Sequence, residues 1–345
     1  MPTWTPQRST LIDLGGRSLR EVGEQSASTE QVSVEARPSG LLLASSKANP
    51  SGSVGGDWGD GAAWQSRPVQ ATNIIISGSS GVTIDNLYFD GTAYSNYVYD
   101  SGASSNAHVC IRILNSSNIT IENCDFFQVS EPIEVYNSSN VEVRYNRCHG
   151  ILGPGERVNE QTGNFLQTHP GGGCDYVWVH HNKIIAMGPG PWDPWSGAHE
   201  LGPEDVISFF GASNCTAEYN EIDATGYERA FGTGTILGDG GGSDNLIQYN
   251  TYLNPGQVGI AVAGFYRNHL IGNIIYREAG QVTGSGNTAA YYWGYNGNPI
   301  GDGLIQDNRA KWYGGGGLWN PGGAVLVNNN WDDNSIDPND LEVVL

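Results

Sequence analysis

The chain has 345 residues, 49 of them Gly and 10 Trp, with only 15% charged residues and a net charge of −20. So few Lys and Arg exclude a phosphate-binding nucleic-acid surface, which needs basic patches, and argue against anionic membranes. Long helices need Ala, Leu, Glu and Lys, which few stretches here supply, while plentiful and regularly placed apolar and aromatic residues exclude a disordered chain.

In chain order, the first residues (Met1-Pro2-Thr3-Trp4-Thr5-Pro6-Gln7-Arg8) lack a basic stretch followed by an apolar run. No signal peptide is therefore expected, nor is any apolar run of roughly 18 residues present to span a membrane. Leu11-Ile12-Asp13-Leu14 and Val32-Ser33-Val34 read as short strands, and Asn49 to Gly61 as a Gly- and Ser-rich loop. From there one pattern keeps returning: alternating β-branched residues, then Asn. It appears as Val82-Thr83-Ile84-Asp85-Asn86, Ile119-Thr120-Ile121-Glu122-Asn123, Val141-Glu142-Val143-Arg144-Tyr145-Asn146 and Val177-Trp178-Val179-His180-His181-Asn182. It continues through Asn220, Asn250, Asn273 and Asn308 to Val325-Leu326-Val327-Asn328-Asn329-Asn330.

Each unit is a half-buried strand with period-two alternation, and one such strand cannot bury its apolar face alone. Stacking the units about 4.8 Å apart pairs their backbones and makes a continuous core. The pattern predicts an all-β chain, a single-stranded parallel β-helix solenoid with right-handed coils. Several repeats are too short for a propeller blade of four strands, and a sandwich shows hairpin turns in place of a phased Asn. The marker Asn is expected to take the left-handed turn conformation and to bond the next Asn in the stack. Longer intervals read as a coil plus an inserted loop, with Gly150 to Asp175 and Ala186 to Asp205 as the long insertions. The expected organisation is a cap or attachment segment over residues 1–70, coils over 71–331, and a C-terminal cap over 332–345, because an open solenoid edge invites aggregation. Cys110, Cys124, Cys148, Cys174 and Cys215 are odd in number and form no CxxC. They read as buried fillers, not as a disulfide framework.

The repeats from Val82 to Asn330 resemble those of the pectate-lyase-like superfamily, which contains polysaccharide lyases, glycoside hydrolases, uronan epimerases and phage tailspikes. The resemblance implies the fold and the handling of a long glycan. Trp178-Val179-His180-His181 is similar to a Trp-Ile-Asp-His motif of pectate lyases, with His180 where that family carries an Asp. Cys148-His149-Gly150 is similar to the Gly-His-Gly of polygalacturonases, without the Asp-Asp pair upstream.

Chemistry is expected on the loops. Pro191-Trp192-Asp193-Pro194-Trp195-Ser196-Gly197-Ala198-His199-Glu200 offers Trp192 and Trp195 to stack on sugars, with Asp193, His199 and Glu200 to bond hydroxyls; the competing reading packs these Trp residues on the coil surface. Glu204, Asp205 and Asp239 are candidate catalytic acids, and coils in register would set Asp205 and Asp239 on neighbouring turns. An eliminating enzyme would need a base and a uronate neutraliser; His169, Lys183 and Arg229 are the candidates, with Tyr227 beside the substrate. The late aromatics Tyr291, Tyr292, Trp293, Tyr295, Trp312, Tyr313 and Trp319 read first as packing, with sugar stacking and an oligomer interface as alternatives. Asp and Asn oxygens suit calcium, with Asp57-Trp58-Gly59-Asp60-Gly61 as its candidate. Zinc is not expected, since no closely spaced Cys/His set occurs.

Two functions follow. One is an enzyme that cleaves a polysaccharide as a lyase or glycoside hydrolase. The other is an extracellular or virion protein, such as a homotrimeric tail spike attached through its N-terminal segment, that binds glycans without cleaving them.

Overall fold

A computed structural model describes residues 69–93, 109–151, 163–169, 173–186, 203–225, 232–279 and 288–343, and the strands Thr10–Leu11, Val32–Val34 and Leu41–Ala44. The strands are two to six residues long and form three large parallel sheets, with a fourth made of Phe265–Tyr266 and Ile300–Gly301 alone. Sheet A has eleven strands, from Thr10–Leu11 to Gly316–Trp319. Sheet B has ten, from Leu41–Ala44 to Val325–Val327, and sheet C eight, from Tyr88–Asp90 to Arg309–Trp312. One coil visits each sheet in turn: Glu131–Tyr136 in A, Ser139–Arg144 in B, Arg147–Ile151 in C, then Leu166–Thr168 back in A. This is the expected parallel β-helix, and right-twisted strands joined by parallel crossovers coil to the right.

Alternation explains the packing. In Ser139–Arg144, Val141 and Val143 face the core while Glu142 and Arg144 face out. Stacking in register turns each inward position into a column, as in Ile84, Ile121, Val143, Val179, Ala217, Ile247, Leu270 and Ile305. Each buried Ile, Leu or Val in such a column contributes about 1.5–3 kcal/mol. Phe89 stacks on Phe126 at 5.1 Å, and Phe165 meets Phe126 edge-on at 6.2 Å. All five cysteines are buried and carry free thiols.

The turn between sheets B and C holds the Asn ladder. The side-chain amide of Asn146 donates to Asn182 Oδ1 at 3.0 Å, Asn182 to Asn220 at 2.9 Å, and Asn220 to Asn250 at 2.9 Å. Asn250, Asn273, Asn308 and Asn329 continue it in the same direction. One expectation is corrected. The left-handed conformation belongs to the residue before the ladder Asn: Tyr145, His181, Tyr219, Tyr249 and Asp307 all have φ of 52–54°. The ladder Asn must turn its amide inward, so its predecessor makes the bend. Asn86 and Asn123 in the first two described coils, and Asn328 before the ladder Asn329, themselves stand at this corner with positive φ.

From Ile74 onward the three longest connections run from Asp90 to Val109, Ile151 to Leu166 and Ile185 to Asp205, each from sheet C to the next strand of sheet A. The expected insertion from Gly150 to Asp175 is thus two connections, since Leu166–Thr168 returns to sheet A between them. At the C-terminal end, Ile336 and Leu341 cluster with Leu253 on the outside of sheet C. Leu326, which continues the inward column beyond Ile305, is 50% exposed. No helix among the described residues is long and apolar enough to cross a membrane.

Candidate functional site

The outer face of sheet A gathers the ionisable groups. Its rows do not follow strict alternation. A Cβ at Gly234 or Gly259 would strike the core side chains of Tyr252 or Ile275, so these positions face inward. Thr235 also faces inward, accepting a hydrogen bond from the Tyr252 hydroxyl at 2.8 Å. Ile236, Val258 and Ala261 instead cluster outside the main core with Tyr291. Two inward residues therefore separate the outward ones, and side chains three apart in sequence meet on the same face.

By register, one outward row carries Arg112, Glu134, Gln167, Ser208, Ile236, Ala261, Tyr291 and Trp319. A second row carries Glu131, Asn164, Asp205, Thr233, Val258 and Thr288, Asn164 being level with Glu131 because Leu166 pairs with Ile133. From Glu134 to Tyr291 the face spans five strand spacings, about 24 Å at about 4.8 Å each.

Three groups of side chains stand along it. In the first, Glu134 is held by Arg112 Nε and by His169 Nε2, the latter at 2.5 Å. Burial alone would raise Glu134, but the His169 hydrogen bond and the Arg112 charge outweigh it and hold the carboxyl below its ordinary range. Glu131 lies beside it, and burial, then the Glu134 charge, push its proton affinity well up. In the second group, Asp205 is 8% exposed and accepts from the Thr233 backbone N–H at 2.7 Å. Burial, then the charges of Glu204 and Asp239, push its pKa up to about 8. Asp239 follows the neighbouring strand, its carbonyl accepting from Gly211 N at 2.8 Å, and burial raises it too. In the third group Tyr291, Trp293, Trp319 and Tyr295 form an aromatic cluster, with Trp293 and Trp319 4.8 Å apart. Tyr291 is raised by its own burial and then by both Asp205 and Asp239, so the second and third groups converge.

Of the residues singled out in the sequence, Glu204, Asp205, Asp239 and His169 thus come to one sheet. Lys183 does not: it lies in Lys183–Ile185 of sheet C, 3.7 Å from Glu221. Trp192, Asp193, Trp195, His199, Glu200, Tyr227, Arg229 and the Asp57–Gly61 candidate lie outside the described residues. His180 and His181 are on sheet B. His180 stacks on Trp178 at 3.9 Å and meets Glu142 at 3.1 Å, while His181 stacks on Tyr219, which stacks on Tyr249. Of the late aromatics, Tyr292 and Trp312 are buried. Sequence reasoning missed Arg112, Glu131, Glu134 and Asn164. Their signal was charge inside strand-like runs, as in Glu131-Pro132-Ile133-Glu134-Val135, whereas the Asn marker tracks sheet B alone.

Comparison with known proteins agrees with the coil geometry. Residues 66–169 match the family model described as a right handed beta helix region. The fold is the right-handed parallel β-helix. Among solved structures, a mutant tailspike protein of E. coli bacteriophage HK620 in complex with pentasaccharide is similar at a TM-score of 0.50 and 13% identity, over 87% of this chain and 55% of that one. A glycoside hydrolase matches at 0.49 and 14% identity, over 77% of this chain and 51% of that one. An alginate lyase from Paenibacillus sp. matches at 0.35 and 13%, over 78% and 95%. The chain spans little more than half the length of that tailspike and that hydrolase. No curated protein sequence matches.

Proposed function

We propose that the protein binds a polysaccharide along the outer face of sheet A and cleaves it by hydrolysis, with Asp205 as the acid and Asp239 as its partner carboxylate. One observation carries this: two carboxyls with raised proton affinity act together on Tyr291, a member of the aromatic cluster. An acid that keeps its proton near neutral pH can protonate a leaving glycosidic oxygen, and aromatic faces suit sugar rings. Glu204 adds to the charge that keeps Asp205 protonated. The chain through Trp192, Asp193, Trp195, His199 and Glu200 runs directly into Glu204, and Tyr227 and Arg229 precede Thr233, the partner of Asp205. They are assigned to substrate contact, Arg229 serving an acidic sugar. The pentasaccharide of the tailspike that shares the fold supports an oligosaccharide as ligand class. An extracellular or virion setting, a homotrimer, residues 1–70 as cap or attachment segment and residues 332–345 as C-terminal cap belong to the same proposal.

The test is incubation with a panel of neutral and uronic polysaccharides. New reducing ends are expected without the ultraviolet absorbance of an unsaturated uronate. Asp205→Asn and Asp239→Asn should each lower the rate about 10²–10⁴-fold while glycan binding persists. Absorbance rising with reducing ends would replace hydrolysis by elimination. Binding without cleavage on every substrate would leave the glycan-binding virion or surface protein.

A further inference from the structure

The first group on sheet A has a different character from the acids around Asp205. Glu131, Glu134 and His169 each offer one ligand atom, and these atoms lie within 4.8 Å of one another. Two observations say that the group lacks a partner. Glu131 is 4% exposed, yet its Oε1 has no hydrogen-bond donor. Asn164, level with Glu131 on the next strand and fully buried, has neither amide atom satisfied. Buried polar atoms are nearly always paired, and a cluster of exceptions calls for a bound ion or water.

We propose that Glu131, Glu134 and His169 bind a divalent transition-metal ion of the Zn²⁺ or Mn²⁺ class. Two carboxylates and one imidazole are a donor set for these ions, whereas Ca²⁺ takes oxygen alone. Ligand atoms about 2.0–2.2 Å from a common ion fall inside the observed separations after a small opening of the His169–Glu134 contact. Charge agrees. With both carboxylates ionised, Arg112 compensates one, and the second is left for the cation. Glu134 is thereby oriented by Arg112, while Glu131 presents its unpartnered oxygen and Asn164 adds an amide oxygen at the same level. The spacing of 131, 134 and 169 resembles no metal motif, because two coils must stack before the three meet. The ion would sit two strands from Asp205, about 10 Å at the spacing of parallel strands, so it is separable from the hydrolytic reading and stands if that fails.

The experiment uses the full chain, stripped of metal, and titrates Zn²⁺ and Mn²⁺ separately by calorimetry with parallel thermal melts. One equivalent of at least one ion is expected to bind and to raise the melting temperature. His169→Ala should weaken that affinity at least about 100-fold, beyond the 10–100-fold that loss of an outer-shell partner costs. Should His169→Ala fail to fold, Glu131→Gln decides. It keeps size and removes charge, and it should melt like wild type without metal but gain nothing when metal is added. Absence of stoichiometric binding, or equal binding by wild type and Glu131→Gln, overturns the site.

Discussion

Asp205 keeps a proton that an ordinary aspartate has lost, and this couples its role to folding. Its pKa rises from 3.8 to about 8 on folding, because the buried carboxylate is costly and Glu204 and Asp239 repel it. Between those values the folded chain holds a proton that the unfolded chain releases. The stability associated with this group is therefore complete below about pH 4 and is lost as pH rises through about 8. Asparagine cannot ionise, so the melting temperature of Asp205→Asn relative to wild type should climb from pH 4 to pH 9. Parallel profiles for the two proteins would show that Asp205 titrates normally. At this scale the sequence was legible where acids stand beside loops, as at Asp205 and Asp239. It was not legible at Glu131 and Glu134. Two buried residues, Pro132 and Ile133, separate them on one face, and nothing in a run of five residues announces that break in alternation.

Among the elements, sheet B was the most readable, because its outward positions are polar and its turn is marked by Asn. Sheets A and C carry no such mark. The outward rows of sheet A are themselves buried at Ile236, Val258 and Ala261, which erases the alternation that reveals a half-exposed strand. The corrected turn has the same origin: sequence finds Asn at the corner, but geometry gives the strained φ to its neighbour. The ladder Asn is consequently a hydrogen-bonding residue, and its replacement is costly. Asn220 Oδ1 accepts from both the backbone and side-chain nitrogens of Asn182. Asn220→Ala strands both donors, and urea unfolding should show a loss of about 3 kcal/mol. A loss no larger than that of an exposed Asn118→Ala would show that water replaces the ladder.

For the whole molecule, one strand among the described residues stands out by its exposure. Sheet B stops at Val325–Val327, where Val325 is 61% exposed and Leu326, heir to the core column, is half exposed. An uncovered strand edge with apolar residues is a template for a second chain. Sedimentation velocity should show association that grows with concentration in the wild type and is absent in Leu326→Glu, whose stability should fall by about 1 kcal/mol or less. Association unchanged by Leu326→Glu would move the contact elsewhere. The ladder bears on size in another way. Its successive members are 36, 38, 30, 23, 35 and 21 residues apart, yet each meets the next through the same amide contact. The scaffold counts turns and ignores how much chain each turn spends. Its length is accordingly quantised: excising everything between two equivalent asparagines would join matching atoms and shorten the rod by one step, leaving every remaining loop with its own shape.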